Sequence, residues 1–173
     1  MSFLSILAAV VPFTATTITD PIDDTRLLAF AAADDENMLL LACKEGTDSL
    51  TIRFVPDRYY GPPATLFFEG PEIVSRFSRA KPEQVGWYFQ DTGIDFMGGL
   101  VGANQQKAKF LDDLARDDTF SIRYAVDDRR TETVTINYTI DPAELSRFLG
   151  KCNPKRVNQY LREWGSPAAP STP

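Results

Sequence analysis

The chain has no histidine among its 173 residues. Histidine is the usual general base near neutral pH, a common zinc ligand and the side chain that most often senses physiological pH. The usual residue for each of these roles is therefore missing. The sequence also lacks a G-x-S-x-G nucleophile motif, a P-loop and a dinucleotide-binding glycine loop. We therefore predict no catalytic residues, no cofactor and no metal site.

Positive charge is scarce as well. Lysine and arginine number 18 against 24 aspartates and glutamates, which gives a net charge of −6. An acidic surface repels phosphate backbones, so we expect no nucleic-acid partner. No stretch is long and apolar enough for a transmembrane helix. These absences favour a protein partner over a nucleic acid or a membrane, and they leave the oligomeric state open.

Only two cysteines are present, Cys43 and Cys152, and they lie too far apart to form a C-x-x-C motif. Two distant cysteines in a small β domain are typical of a structural disulfide formed in an oxidising compartment. The alternative is a pair of unrelated buried thiols in a cytosolic protein. We predict a Cys43–Cys152 disulfide and, with it, a periplasmic or secreted protein.

The N-terminal apolar run over residues 3–13 has the length of a signal-peptide core. No basic residue precedes it, since the first is Arg26, and Ala15 is the nearest cleavage position. The sequence predicts a signal peptide or apolar leader over residues 1–15. The alternatives are a first buried strand and a leader that begins upstream. If the run is not a leader, we expect a cytoplasmic protein.

Short segments with β-type alternation dominate the rest of the chain. The clearest are residues 120–126 and 134–140, which we predict to form a long antiparallel hairpin with one solvent-exposed face. Further strands are predicted at residues 14–19, 26–33, 37–44, 50–54, 64–69, 73–78, 87–90 and 94–97.

Three segments have helical periodicity: residues 104–116, residues 141–150 and residues 153–165. Asp141, Pro142 and Glu144 form a start similar to a capping box, and Gly150 is a predicted stop. We predict a mostly β, β-rich α+β fold: an antiparallel β-sandwich or curved sheet with one internal helix and one or two C-terminal helices. It forms a single domain over residues 16–164, followed by a disordered Pro/Ser/Ala tail over residues 165–173.

The order of these landmarks over about residues 17–152 resembles the VasI/TagO family, exported proteins associated with bacterial type VI secretion. The matching segments are residues 19–24 (TDPIDD), 39–43 (LLLAC), 50–54 (LTIRF), Trp87, 91–93 (DTG), 110–114 (FLDDL), 120–124 (FSIRY) and Cys152. The resemblance implies an exported, β-rich domain with a disulfide between its two end cysteines. It supplies no catalytic residues.

An enzymatic alternative rests on Asp91, because Asp91-Thr92-Gly93 is the signature tripeptide of aspartic proteases. In those enzymes two such aspartates share one proton and activate water. The chain holds one copy, so a carboxylate-only hydrolase of this type would have to be a homodimer. A hairpin turn explains the same three residues without any catalysis.

A third class is a calcium-stabilised, adhesion-like module, since five Asp-Asp pairs are present. None lies in a D-x-D-x-D-G loop, and solvated turns and helix surfaces account for them. The most favourable partner surface is the loop that carries Tyr59, Tyr60 and Pro62, because loop aromatics bury area at low entropy cost; packing at the edge of the core is the other role open to them. We therefore predict a non-enzymatic, exported accessory or interaction module of the bacterial envelope.

Overall fold

The computed structural model describes residues 10–19, 24–57, 73–78, 82, 86–90, 93–97, 102–127 and 130–166. Ten strands and three helices lie within these ranges. They are β1 (Val10–Pro12), β2 (Thr14–Thr19), β3 (Arg26–Ala33), β4 (Met38–Lys44), β5 (Thr51–Val55), β6 (Val74–Phe77), β7 (Trp87–Gln90), β8 (Gly93–Phe96), α1 (Ala103–Arg116), β9 (Thr119–Asp127), β10 (Arg130–Thr139), α2 (Pro142–Cys152) and α3 (Lys155–Glu163). The predicted mostly β, α+β fold is confirmed, with one internal helix and two C-terminal helices.

The strands form two sheets. The four-stranded sheet has the order β1-β10-β9-β6, and the six-stranded sheet has the order β2-β3-β4-β5-β8-β7. All neighbouring strands are antiparallel except β1 and β10, which are parallel. The predicted hairpin is β9 and β10, in which Ile122 lies opposite Val134 and Phe120 opposite Ile136. Alternate residues of both strands therefore face the core.

The two sheets are linked by the N-terminal segment, because β1 and β2 are consecutive in the chain but belong to different sheets. Phe13 lies between them and is only 4% exposed. The centroid of its ring lies 5.1 Å from that of Phe30 in β3 and 5.4 Å from that of Tyr138 in β10. Residues 10–15 of the predicted leader thus lie in strands or in the core, residues 1–9 lie outside the described ranges, and cleavage of the leader stays a prediction.

One end of the core is closed by α1. The ring of Phe110 in this helix packs against Phe77 and Phe120 of the four-stranded sheet, with ring centroids 5.0 and 5.7 Å apart. The same ring contacts Phe96 and Trp87 of the six-stranded sheet at 5.1 and 5.8 Å. Aromatic side chains bury large areas and favour such tilted contacts, so α1 joins the two sheets through one side chain.

The other end carries α2, which starts as predicted: the Asp141 side chain accepts a hydrogen bond from the Ala143 N–H at 2.8 Å. The predicted stop at Gly150 is wrong. The helix runs on to Cys152 and ends at Asn153, which adopts φ +55°. Cys152 continues the buried stripe of Leu145, Phe148 and Leu149, and this packing outweighs the low helix propensity of glycine. No helix in the described ranges has the length and apolar character needed to cross a membrane.

Candidate functional site

The predicted cysteine pair joins the six-stranded sheet to α2. Cys43 of β4 and Cys152 of α2 lie at disulfide distance, with 5.7 Å between their Cα atoms. Both are buried. Two hydrogen bonds reinforce this junction: the Gly46 N–H donates to the Lys151 carbonyl, and the Lys155 N–H donates to the Asp48 carboxylate. The pair therefore links an early strand to a C-terminal helix.

Most of the other residues singled out in the sequence lie beyond the described ranges. Tyr59, Tyr60 and Pro62, the predicted partner surface, belong to residues 58–72, and Asp91 belongs to residues 91–92. The predicted partner loop and the hydrolase alternative are therefore untested.

The Asp-Asp pairs that the structure describes serve the fold. The Asp34 carboxylate accepts hydrogen bonds from the Glu36 and Asn37 N–H groups and thereby forms a tight turn. Asp112 and Asp113 pair with basic side chains one turn away on α1, at 2.9 and 2.8 Å. Within the described ranges, no three potential ligands among Cys, Asp and Glu come together as a metal site. The calcium alternative thus gains no support from these residues.

The outer face of the four-stranded sheet holds a groove of about 310 Å³. Alternate residues of three adjacent strands point into it, because side chains in a strand alternate between the two faces. Two cross-strand rows result, one of Val74, Arg123 and Thr133 and one of Arg76, Ser121 and Thr135. We call these six side chains the arginine groove. The Ser121 and Thr135 hydroxyls are hydrogen-bonded to each other at 2.9 Å.

The electrostatics of the arginine groove differ from those of the rest of the protein. None of the described residues that line it is acidic, although the whole chain carries a net charge of −6. Arg76 and Arg123 are both exposed, and neither forms an ion pair with another residue that the structure describes. Arginines elsewhere do: the pairs include Arg26–Glu45, Arg53–Asp95, Arg116–Asp112 and Arg147–Glu144.

A second groove, of about 110 Å³, lies between β2 and α2. We call it the edge groove. Its floor includes Leu28 and Phe148, and the polar side chains of Glu144, Arg147 and Lys151 line its helical side. All six residues of β2 are exposed, and among the described strands β2 pairs only with β3. The edge groove therefore runs beside a strand whose outer edge has no neighbour among the described strands.

The half-buried Lys107 has a structural role. The Lys107 ammonium of α1 donates a hydrogen bond to the Leu50 carbonyl at 2.7 Å, just before β5. Burial lowers the pKa of Lys107, and the negative charge of Asp95 opposes that shift. Asp95 itself is held by Arg53 through hydrogen bonds of 2.5 and 2.9 Å. These contacts fasten α1 to the six-stranded sheet.

Sequence reasoning missed both grooves. The alternation in residues 120–126 and 134–140 indicates which side chains face solvent, but Arg76 lies far from them in the chain. Only the pairing of β6 with β9 places Arg76 beside Ser121 and diagonal to Arg123. Likewise, the exposed character of β2 depends on its edge position, which its sequence does not encode.

Comparison of the chain with protein-family models, with curated proteins and with solved structures finds no match in any of the three. The resemblance to the VasI/TagO family accordingly stays a prediction.

Proposed function

We propose that this protein is a non-enzymatic, exported interaction module of the bacterial envelope that binds a partner protein by strand addition at β2. The observation that carries the proposal is that β2 pairs with β3 on one edge and has no neighbour on its other edge among the described strands. An accessory role of the kind implied by the VasI/TagO resemblance is consistent with it.

The outer edge of a sheet presents N–H and C=O groups that lack a neighbouring strand. An extended segment of another protein satisfies them: the main-chain hydrogen bonds supply affinity, and side-chain contacts supply specificity. β2 is six residues long, with the sequence TATTIT. It contains none of the lysines or prolines that commonly protect an edge strand from such pairing.

The edge groove adds side-chain contacts to this backbone edge. Leu28 and Phe148 offer an apolar floor, and Arg147 and Lys151 place positive charge along the helical wall. The neighbouring Glu144 pairs with Arg147 at 3.6 Å. An incoming strand would thus meet main-chain donors and acceptors on one side and a mixed helical surface on the other, as in strand-addition complexes in general.

Support for export comes from the cysteines. A buried pair at disulfide distance fits an oxidising compartment such as the periplasm. Alkylation of unreduced protein taken from the host cell envelope tests this part directly. We expect no free thiols there, whereas two free thiols would argue for a reducing compartment.

Site-specific photo-crosslinking tests strand addition. A photoreactive phenylalanine analogue replaces Thr17 on β2 in one variant and Gln159, an exposed residue of α3, in the control variant. In the native host we expect a discrete crosslinked protein with the Thr17 variant only. Crosslinks at Gln159 but none at Thr17 would place the partner surface elsewhere and overturn the proposed binding mode.

A further inference from the structure

Arg76 and Arg123 lie on adjacent strands at diagonal positions of one sheet face. Arg76 is directly opposite Ser121, and Arg123 is two residues further along the same strand, β9. Diagonal neighbours of this kind are about 7–8 Å apart. Alternate residues of an extended chain are separated by about 6.7 Å, twice the rise per residue. Two side chains of an extended ligand, two residues apart, therefore match the spacing of the two arginines.

We infer that the arginine groove binds an extended acidic segment of a partner protein, with carboxylates at alternate positions that pair with Arg76 and Arg123. The guanidinium group suits this ligand because its planar donors match a carboxylate in a bidentate arrangement. The neighbouring hydroxyls contribute as well. One of Ser121 and Thr135 donates to the other, which leaves one O–H free to donate to the ligand.

Charge complementarity favours binding of an acidic segment in the arginine groove. Among the residues that the structure describes, the lining of the arginine groove holds two arginines and no acidic residue, while the chain as a whole is acidic. A negatively charged segment is repelled by most of this surface and attracted to one face of the four-stranded sheet. The groove lies on the opposite sheet from β2, so this inference is independent of strand addition at the edge groove.

Two matched double variants test the inference. R76Q/R123Q removes both groove arginines, and K155Q/R162Q removes two positive charges from the exposed surface of α3. The net charge falls equally in both, so a difference between them reports the site and not the overall field. Because all four residues are exposed, both variants should keep the far-UV circular dichroism spectrum and the urea midpoint of the wild type.

The probe is the peptide acetyl-Thr-Glu-Thr-Glu-Thr-amide, titrated into ¹⁵N-labelled protein and followed by amide chemical shifts. We expect shifts concentrated in β6, β9 and β10. The dissociation constant should rise at least about tenfold in R76Q/R123Q and less than about twofold in K155Q/R162Q, since charge-assisted bidentate contacts far outweigh a distant surface charge.

Further titrations identify the ligand class. The peptide with glutamine in place of glutamate should leave the groove amides unshifted, and inorganic phosphate should bind much more weakly than the acidic peptide. The inference is overturned by equal binding of the two peptides, by equal weakening in both double variants, or by no binding of the acidic peptide at all. It is also overturned if phosphate binds as tightly as the peptide, because the site would then hold a small anion.

Discussion

Loss of the disulfide bond between Cys43 and Cys152 should lower the free energy of unfolding of this protein strongly. The two residues are separated by 109 positions, so the cross-link closes most of the domain into one loop. In the loop-entropy model a loop of this size restricts the unfolded chain by about 4.8 kcal/mol at 25 °C. Typical domains are stable by about 5–15 kcal/mol, so the link accounts for a large share of the total.

Urea unfolding measures this effect without any mutation. The oxidised protein is compared with the same protein after reduction and alkylation, and a C43A/C152A variant serves as a second unlinked form. With a urea m-value of about 2 kcal/mol/M, the midpoint should fall by about 2.4 M when the link is lost. Both sulfurs are buried in the packed junction of β4 and α2. The alanine variant should therefore lose slightly more stability than the loop-entropy model alone predicts.

A fall in stability of less than about 1 kcal/mol in both unlinked forms would refute the reasoning, since chain entropy predicts several times more. An unchanged m-value is part of the expectation. A smaller m-value after reduction would show that the unlinked protein had already lost part of its native surface burial. That outcome would indicate that the link holds α2 on the sheet and does more than restrict the unfolded chain.

Two further predictions concern buried polar groups. Burial raises the pKa of Tyr138 and of Tyr124, with nearby carboxylates adding to both shifts. The unfolded chain releases these protons near the ordinary pKa of 10.0, so their contribution to stability is complete below that pH and declines above it. Y138F, which loses the hydrogen bond to the Leu114 carbonyl, should cost about 1 kcal/mol in urea unfolding near pH 8. The difference in free energy of unfolding between Y138F and the wild type should become smaller near pH 11. A difference that is the same at both pH values would contradict the raised pKa of Tyr138. Ser75→Ala leaves the buried Trp87 indole N–H without its acceptor at 2.8 Å and should cost about 1–2 kcal/mol, whereas an unchanged urea midpoint would show that water replaces the hydroxyl.

Much of the fold follows from local patterns. Residues 27–33 alternate in burial although they are all apolar, and the bounds of β3, Arg26–Ala33, agree with the prediction. Asp141 and Pro142 begin α2 where their capping chemistry predicts. The prediction failed at Gly150, because the contact that keeps the helix intact beyond it is the packing of Cys152 against β4, which lies over a hundred residues away.

The candidate sites were less accessible to sequence reasoning. The sequence predicts partner contacts from loop aromatics that lie outside the described residues. Within the described part of the chain, the structure presents instead a strand edge without a neighbour and two arginines without an ion pair. Threonines such as those of β2 are equally common in central and edge strands, so their composition gives no sign of an open edge. Arg76 and Arg123 look like scattered surface charges until their strands pair.

The sequence by itself determined the class of the protein: β-rich and acidic, without histidine, and with one pair of cysteines. Composition and short-range periodicity suffice for this, because side-chain alternation and capping act over a few residues. Only the tertiary structure decided that Phe13 joins the two sheets, that β2 lies at an edge and that Arg76 lies beside β9. Those relations depend on strand order, which is set by the packing of distant segments against one core and has no local signature in the chain.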